Sequence, residues 1–299
     1  MPDYAFTTVS QRQQLKCLEI RHPLFHADLL LQGAQLLKFQ PAGSHINWLW
    51  LSDEAQFNHG QSVRGGMPIC WPWFGNADKN PTAVQHHIDL QRAPAHGFAR
   101  NQTWQLLSVY ESCHTVKVCL QLEINHQPGW QGKAGLQAHF SFSQHSLGVE
   151  LITQNRAPTT LTFSQAIHTY LPTDDLTNTR IDGLHGCEYA DALVQLGSGW
   201  KRFTQQGAVR FQAETDRVYL TQGRTIRLHT PSRKLQLATE NSHSSVIWNP
   251  WEEKAKQLSQ FADDDYQQML CIESANALDD CVTLKAGQQH RLSVTLSEY

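Results

Sequence analysis

Residues 116–124 read Val-Lys-Val-Cys-Leu-Gln-Leu-Glu-Ile, and this stretch carries the pattern that decides the fold. Apolar side chains recur at every second position, which is the spacing of a β-strand with one buried face. The same alternation recurs in short runs at 136–142, 147–151, 226–228, 235–237 and 292–296. The sequence therefore predicts many short, half-buried strands rather than amphipathic helices.

Helix signals are few. We expect one helical turn near residues 186–192 and another within 250–256. A chain of many alternating strands without amphipathic helices is typical of an all-β protein built as a large antiparallel β-sandwich. No Pro/Ser-rich linker and no internal repeat divides the 299 residues, so we expect a single domain spanning 1–299.

Composition narrows the classes of function. The formal net charge is −3 and no long run of like charges stands out, which argues against nucleic acid as the main partner but allows a small anionic ligand. Seven scattered cysteines fit reduced thiols better than a disulfide framework. The first residues lack the pattern of a signal peptide, and no apolar stretch approaches the length of a membrane span. We expect a cytoplasmic monomer that binds no membrane.

The segment 64–75, Arg-Gly-Gly-Met-Pro-Ile-Cys-Trp-Pro-Trp-Phe-Gly, is the most informative for function. Glycines allow close backbone approach, and indole rings such as those of Trp71 and Trp73 can form flat walls for the apolar face of a sugar. A planar guanidinium such as that of Arg64 is suited to grip a pair of anionic oxygens. A tight aromatic core corner with a surface arginine is the alternative interpretation.

Further segments strengthen the functional interpretation. They read His-Gly-Phe-Ala-Arg at 96–100, His-Thr-Tyr-Leu at 168–171, Glu-Thr-Asp-Arg-Val-Tyr at 214–219 and Cys-Ile-Glu-Ser-Ala-Asn at 271–276. Together and in this order they resemble the hexose-6-phosphate mutarotases, or glucose-6-phosphate 1-epimerases, of the aldose 1-epimerase (galactose mutarotase-like) superfamily. The resemblance runs from about residue 25 to residue 296. It implies an extended β-sandwich, a supersandwich, with its site in a cleft on one sheet.

The resemblance implies a catalytic pair. Interconversion of sugar anomers opens a hemiacetal and closes it on the other face, which needs one base and one acid but no metal, cofactor or covalent intermediate. Glu273 matches the family's catalytic glutamate, and because it follows an apolar run we expect it at the end of a buried strand. His168 matches the catalytic histidine, and an imidazole can give and recapture a proton near neutral pH.

Two further positions match residues that bind the sugar. His96 matches a histidine beside the sugar ring, and we expect it to hydrogen-bond near the ring oxygen. Asp216 matches a carboxylate that accepts hydrogen bonds from sugar hydroxyls. A turn aspartate paired with Arg217 is the alternative interpretation of that position.

Arg64 and Arg100 separate a phosphorylated from a neutral substrate, because only a phosphate dianion calls for clustered guanidinium groups. Relatives carry a glutamine directly before the 96–100 segment, where this chain has Ala95, so one sugar contact of the family is in doubt. The polar segment 76–95 joins two of the motifs. We expect that it either edges the substrate cleft or forms a surface excursion.

The predicted function is the cofactor-independent interconversion of α and β anomers of a hexose 6-phosphate. Three alternatives stay open: an aldose 1-epimerase acting on unphosphorylated sugar, a non-catalytic sugar-phosphate-binding protein, and a glycan-binding β-sandwich module. Nucleophile elbows, phosphate loops, dinucleotide fingerprints and zinc motifs are absent from the sequence. A glycosidase would need paired carboxylates, and the acidic run 263–265 is typical of a solvated turn.

Overall fold

The computed structural model describes residues 4–196 and 199–299. The first eleven strands are β1 Thr7–Arg12, β2 Leu15–His22, β3 Phe25–Leu30, β4 Leu36–Pro41, β5 Ile69–Cys70, β6 Gln105–Glu111, β7 Thr115–Ile124, β8 Ala134–Ser143, β9 Ser146–Asn155, β10 Leu161–Phe163 and β11 Gln165–Ile167. The remaining strands are β12 Tyr170–Pro172, β13 Arg180–Asp182, β14 Glu188–Leu196, β15 Gly199–Thr204, β16 Thr215–Leu220, β17 Ile226–His229, β18 Lys234–Glu240, β19 Ser244–Asn249, β20 Met269–Asn276, β21 Val282–Leu284 and β22 Gln289–Glu298.

Helical structure in the described residues is confined to short pieces. The α-helices are α1 Thr82–Gln85 and α2 Trp251–Ala255, and the 3-10 turns are Ala77–Lys79, Ala99–Asn101, Asp265–Gln267 and Leu278–Asp280. None of the described helices is long and apolar enough to cross a membrane.

Two large antiparallel sheets form the sandwich. The first has the strand order β13-β17-β18-β22-β9-β8-β7-β6. The second has the order β15-β14-β16-β19-β20-β11-β5, with β12 also paired to β20. A smaller sheet, β1-β2-β3-β4, packs beside the first, where the rings of Phe39 and Phe142 stack 6.0 Å apart. The predicted large antiparallel β-sandwich is confirmed, whereas a single domain over 1–299 stays a prediction.

The period-two pattern explains which face of the second sheet meets the core. In β20, Leu270 and Ile272 join the main hydrophobic core together with Leu136 and Val149 of the first sheet. Successive side chains of a strand point to opposite faces, so Glu273 lies on the face turned away from that core. The alternation of β20 thus places a carboxylate on the outer face of the sandwich.

The local sequence predictions have mixed outcomes. Every alternating run of the sequence lies within a strand, and the helical turn expected within 250–256 is α2. The turn expected near 186–192 is wrong, since β14 begins at Glu188 and the ring of Tyr189 packs 4.9 Å from that of Tyr219 in β16. Pairing with two neighbouring strands overrides the local turn signal there. All seven cysteines are free thiols, as expected.

Glycines in the segments 64–75 and 96–100 allow close contact between neighbouring stretches of backbone. A Cβ on Gly66 would lie 2.2 Å from the Leu36 carbonyl oxygen, and one on Gly97 would lie 2.0 Å from the Trp71 carbonyl oxygen. The second approach joins segment 96–100 to segment 64–75, where the Phe98 N–H donates to the Trp71 carbonyl at 3.0 Å. This close approach holds the two predicted substrate-binding segments side by side.

Candidate active site

A cleft of about 500 Å3 lies over the outer face of the second large sheet. Its walls include all six side chains that the sequence and the resemblance point to: Arg64, His96, Arg100, His168, Asp216 and Glu273. Three come from β16, β20 and the junction of β11 and β12, and three come from the motif loops at the sheet's edge. The sheet order thus gathers residues from across the sequence, while their chemical roles stay predictions.

Glu273 occupies the middle of β20 rather than the strand end that the sequence predicted. It pairs with Val246 of β19 and is only 1% exposed. Its Oε1 lies 3.4 Å from Nε2 of His168, and its Oε2 is buried without a hydrogen-bond partner among the described residues. A buried carboxylate oxygen without a donor is costly, so a bound hydroxyl group would stabilise it.

His168 lies at a break between β11 and β12 rather than inside a continuous strand. Its backbone N–H donates to the Pro68 carbonyl at 3.0 Å. Its ring stacks on that of Tyr170 with centroids 4.7 Å apart, and its Nδ1 has no partner in the described part of the chain. The imidazole is therefore fixed by packing and presents Nε2 to Glu273.

Burial and nearby charges shift the pKa values of Glu273 and His168 in opposite directions. Burial, with a smaller contribution from the negative charge of Asp216, raises the pKa of Glu273 well above its ordinary value. Burial, with the positive charges of Arg100 and Arg64, lowers the pKa of His168 to about 3. In the protein alone the proton therefore belongs on Glu273, whereas the predicted roles need an ionised Glu273 and a protonated His168.

His96 is held in one tautomer. The backbone N–H of Gly75 donates to its Nδ1 at 3.3 Å, and the thiol of Cys70 lies 3.4 Å from the same nitrogen. Burial lowers its pKa well below the ordinary value, so the ring is neutral and carries its proton on Nε2. The ring meets that of His168 edge-on at 5.6 Å. His96 can therefore donate a hydrogen bond to a sugar oxygen, as the resemblance implies.

Arg64 and Arg100 are anchored by neutral groups. Arg64 donates from Nη1 to the hydroxyl of Tyr170 at 3.2 Å, and Arg100 donates from Nη2 to the Ala95 carbonyl at 2.8 Å. Within 4–196 and 199–299, neither guanidinium forms an ion pair with a carboxylate. The Nε of Arg100 is buried with no described partner. Two positive charges thus line the cleft without a counter-ion from the described residues.

Asp216 belongs to β16, opposite Trp248 of β19, and is not the turn aspartate that the alternative interpretation supposed. Its neighbour Arg217 pairs with Asp191 instead, at 3.3 Å. Burial and the negative charges of Glu214 and Asp191 raise the pKa of Asp216 to about 6. Its carboxylate is therefore available to accept hydrogen bonds in the cleft at neutral pH.

The aromatic walls of the cleft differ from those predicted. Trp71 and Trp73 are buried in the core, at 0% and 2% exposure, so they form the aromatic corner rather than a sugar platform. The aromatic side chains that line the cleft include Phe74, Tyr170 and Trp248. Tyr170 follows His168 by two residues, so a strand's alternation could have found it, whereas nothing local singles out Trp248.

The two ends of the segment 76–95 edge the cleft, which was one of its two predicted positions, whereas residues 81–94 are not part of the cleft lining. Asn76, Lys79 and Asn80 line the cleft wall, and the carbonyl of Ala95 holds Arg100. The amide of Asn80 donates to the Phe74 carbonyl at 2.9 Å, which ties the segment to the aromatic corner. The ends of the segment therefore shape the site.

The acidic run 263–265 is only partly the solvated turn that the sequence indicated. Asp265 is buried and accepts hydrogen bonds from the hydroxyl of Ser52 at 3.2 Å and the backbone N–H of Ala262 at 2.9 Å. It supports a loop and does not line the cleft. In the described residues, no group of three histidine, cysteine or acidic side chains is arranged to hold a metal ion.

Comparison with known proteins gives a consistent result. The chain matches the model of the aldose 1-epimerase family over residues 16–297. A protein of Escherichia coli strain K12 with the provisional name glucose-6-phosphate 1-epimerase is 30% identical over 281 residues, covering 93% of this chain and 88% of that protein. A protein of Salmonella typhimurium with the same provisional name is 31% identical over 278 residues, covering 91% and 87%. A solved structure from Salmonella typhimurium, provisionally described as a mutarotase, superposes with a TM-score of 0.85 at 26% identity, covering 99% of this chain and 95% of that one.

Proposed function

Since this chain belongs to the aldose 1-epimerase family and is therefore an isomerase, we propose that it interconverts the α and β anomers of a hexose 6-phosphate, with glucose 6-phosphate as the first candidate. The main support for a phosphorylated substrate is the pair Arg64 and Arg100. Both line the cleft that contains Glu273 and His168, and neither has a carboxylate partner among the described residues. The provisional names of the relatives support the same substrate.

The phosphate dianion binds the two guanidinium groups. Arginine forks give paired, charge-assisted hydrogen bonds to phosphate oxygens, which are about twice as strong as neutral ones. The buried Nε of Arg100 supplies a further donor that no described residue uses. A free sugar offers these groups no charge, so the cleft favours the phosphorylated form.

The sugar ring lies between His96, Asp216 and the catalytic pair. His96 donates from Nε2 to an oxygen near the ring, and Asp216 accepts from sugar hydroxyls. Both line the same cleft as Trp248, whose half-buried ring contacts the apolar face of the sugar. These contacts orient the anomeric carbon toward Glu273 and His168.

The reaction consists of two coupled proton transfers and their reversal. Glu273 takes the proton of the C1 hydroxyl while His168 gives a proton to the ring oxygen, so the bond between C1 and that oxygen breaks and an aldehyde forms. After rotation about C1–C2, the ring oxygen attacks the other face of C1, and both protons return. Nothing is oxidised, and the enzyme ends in its starting state.

The substrate's own phosphate prepares the pair for this cycle. Burial is the main cause of the lowered pKa of His168, and Arg100 and Arg64 lower it further, so a bound dianion would cancel part of the effect of the two arginines. The pKa of His168 would then rise, which favours transfer of the shared proton from Glu273 to His168 across the 3.4 Å between Oε1 and Nε2. We therefore expect phosphate binding to shift the pair toward its reactive protonation.

Exchange NMR between the α and β anomers of glucose 6-phosphate tests the proposal, with free glucose measured in parallel. His168→Ala and Glu273→Gln should each slow the enzyme-catalysed exchange by about 10²–10⁴-fold. Glu123→Gln, which removes a surface carboxylate paired with Arg156, is the matched control and should leave the rate unchanged.

The outcomes separate the alternatives. Exchange no faster than the spontaneous rate, together with tight binding of glucose 6-phosphate, would indicate a sugar-phosphate-binding protein without catalysis. Equal acceleration of glucose and glucose 6-phosphate would indicate an aldose 1-epimerase that ignores the phosphate. Retention of the wild-type rate by either catalytic variant would remove that residue from the mechanism.

A further inference from the structure

Tyr170 contacts both halves of the cleft. Its hydroxyl accepts a hydrogen bond from Nη1 of Arg64 at 3.2 Å. Its ring stacks on the imidazole of His168, with centroids 4.7 Å apart and an interplanar angle of 18°. One side chain therefore touches a residue of the proposed phosphate site and a residue of the proposed acid–base pair.

The position of Tyr170 is fixed from several directions. Its ring stacks on Trp50 at 5.8 Å and meets Trp248 edge-on at 6.2 Å. Its backbone N–H donates to the Gly66 carbonyl at 2.9 Å, and its carbonyl accepts from the Trp50 N–H at 3.0 Å. The side chain is 4% exposed, so it has little freedom to move independently of its two partners.

The hydroxyl group of Tyr170 can donate a hydrogen bond. Burial raises the pKa of Tyr170 to about 12, so the group is protonated at neutral pH. Arg64 uses one of its lone pairs, and no described residue accepts the hydroxyl proton. The hydroxyl lies in the cleft wall beside a guanidinium that has no carboxylate partner, where a phosphate oxygen would be an acceptor.

We propose that Tyr170 is a positioning residue that joins substrate selection to proton transfer: its hydroxyl aims Arg64 and completes the phosphate site, and its ring holds His168 in register with Glu273. This inference rests on the proposed function, because it assigns the anion at Arg64 to the substrate's phosphate. It predicts that the two parts of one side chain affect different kinetic constants.

Tyr170→Phe removes the hydroxyl and keeps the ring. The KM for glucose 6-phosphate should rise about tenfold, as for one lost hydrogen bond to a charged group, while kcat changes by less than about twofold. The slow exchange of free glucose should be affected far less than that of glucose 6-phosphate, because free glucose carries no phosphate for the hydroxyl to bind. Tyr219→Phe is the matched control, because it deletes another buried tyrosine hydroxyl, bonded to Gln205 at 2.8 Å, outside the cleft.

Tyr170→Leu removes the ring as well. Here kcat should fall by about tenfold or more for both sugars, because the imidazole loses the surface that orients it, and the pH profile of kcat should shift with the environment of His168. Circular dichroism shows whether this variant folds. If it does not fold, Tyr170→Phe alone decides the question, with inorganic phosphate as the probe.

The inhibition constant of inorganic phosphate should rise in Tyr170→Phe by the same factor as the KM. A Tyr170→Phe enzyme with unchanged KM and unchanged phosphate inhibition would overturn the inference while leaving the proposed function intact. An equal loss for glucose and glucose 6-phosphate would also overturn it, since the hydroxyl would then support only the fold. A wild-type protein that neither accelerates glucose 6-phosphate exchange nor binds phosphate would instead refute the proposed function.

Discussion

The Arg100→Ala variant tests whether the cleft recognises the phosphate of the substrate or only its sugar ring. The side chain donates from Nη2 to the Ala95 carbonyl and has a buried Nε without a partner in the described residues. Alanine removes the donors that would hold phosphate oxygens and one of the two positive charges of the cleft wall that lower the pKa of His168. It leaves Glu273 and His168 unaltered.

The size of the effect follows from the contacts that are lost. A hydrogen bond to a charged group is worth about 1.5–3 kcal/mol, which corresponds to an increase of roughly 10- to 150-fold in the KM for glucose 6-phosphate. Free glucose makes no such bond, so its exchange should not slow. It should be slightly faster, because loss of the Arg100 charge raises the pKa of His168 and a larger fraction of the histidine carries a proton.

Exchange NMR on both sugars measures this difference directly, at low and at high ionic strength because salt screens the guanidinium charge. Arg100→Lys should recover part of the affinity, since an ammonium restores the charge without the planar fork. Arg156→Ala is the matched control, because that arginine pairs with Glu123 outside the cleft. Equal losses for the two sugars would refute the phosphate assignment and leave a general aldose 1-epimerase.

Three further predictions concern protons and metals. Burial raises the pKa of Glu273, and the reaction needs the one proton that Glu273 carries in the free protein, so the alkaline limb of the kcat/KM profile should follow this raised pKa, and a loss of activity at the ordinary carboxylate pKa would contradict this. Because the folded-state pKa of Glu273 lies above the unfolded value, its contribution to stability is present in acid and lost as the pH rises. The Glu273→Gln variant should therefore have a free energy of unfolding about 1–3 kcal/mol above that of the wild type in alkaline buffer and equal to it in acid. Chemical denaturation at the two pH values measures this difference. Chelators should not change the exchange rate, and activity that is lost to a chelator and restored by a divalent ion would show that the mechanism is incomplete.

Local pattern was enough to predict the fold class and six of the strands, all in the first large sheet. The alternation at 116–124 gives β7 almost to the residue, because one-sided burial imposes a period of two whichever strands are its neighbours. The motif glycines were also informative, since Gly66 and Gly97 lie where a Cβ would collide with backbone. The positions of His168 and Glu273 in one cleft came from the resemblance rather than from the pattern, because neither residue is distinctive alone.

The remaining features depend on which strands pair, and a local pattern does not contain that information. The local pattern left open that Asp216 is a turn residue paired with Arg217, and only the register of β16 against β19 places it across from Trp248. Trp71 and Trp73 appear suited to a sugar platform, yet the chain turns them into the core and leaves Trp248 at the cleft. Tertiary context decides the direction of each of these side chains.

The distribution of unsatisfied polar atoms links stability to function in this cleft. Of seven buried side-chain nitrogen and oxygen atoms without a hydrogen-bond partner among the described residues, three belong to Arg100, His168 and Glu273. Each such atom costs on the order of 1–3 kcal/mol, so the fold holds these groups in place at the expense of its own stability. A sugar phosphate carries acceptors for the guanidinium and hydroxyl donors for the carboxylate, which are the partners that these atoms lack. In the proposed mechanism these three groups bind and turn over the substrate, so substrate binding would supply the partners that they lack without reorganisation at the moment of reaction.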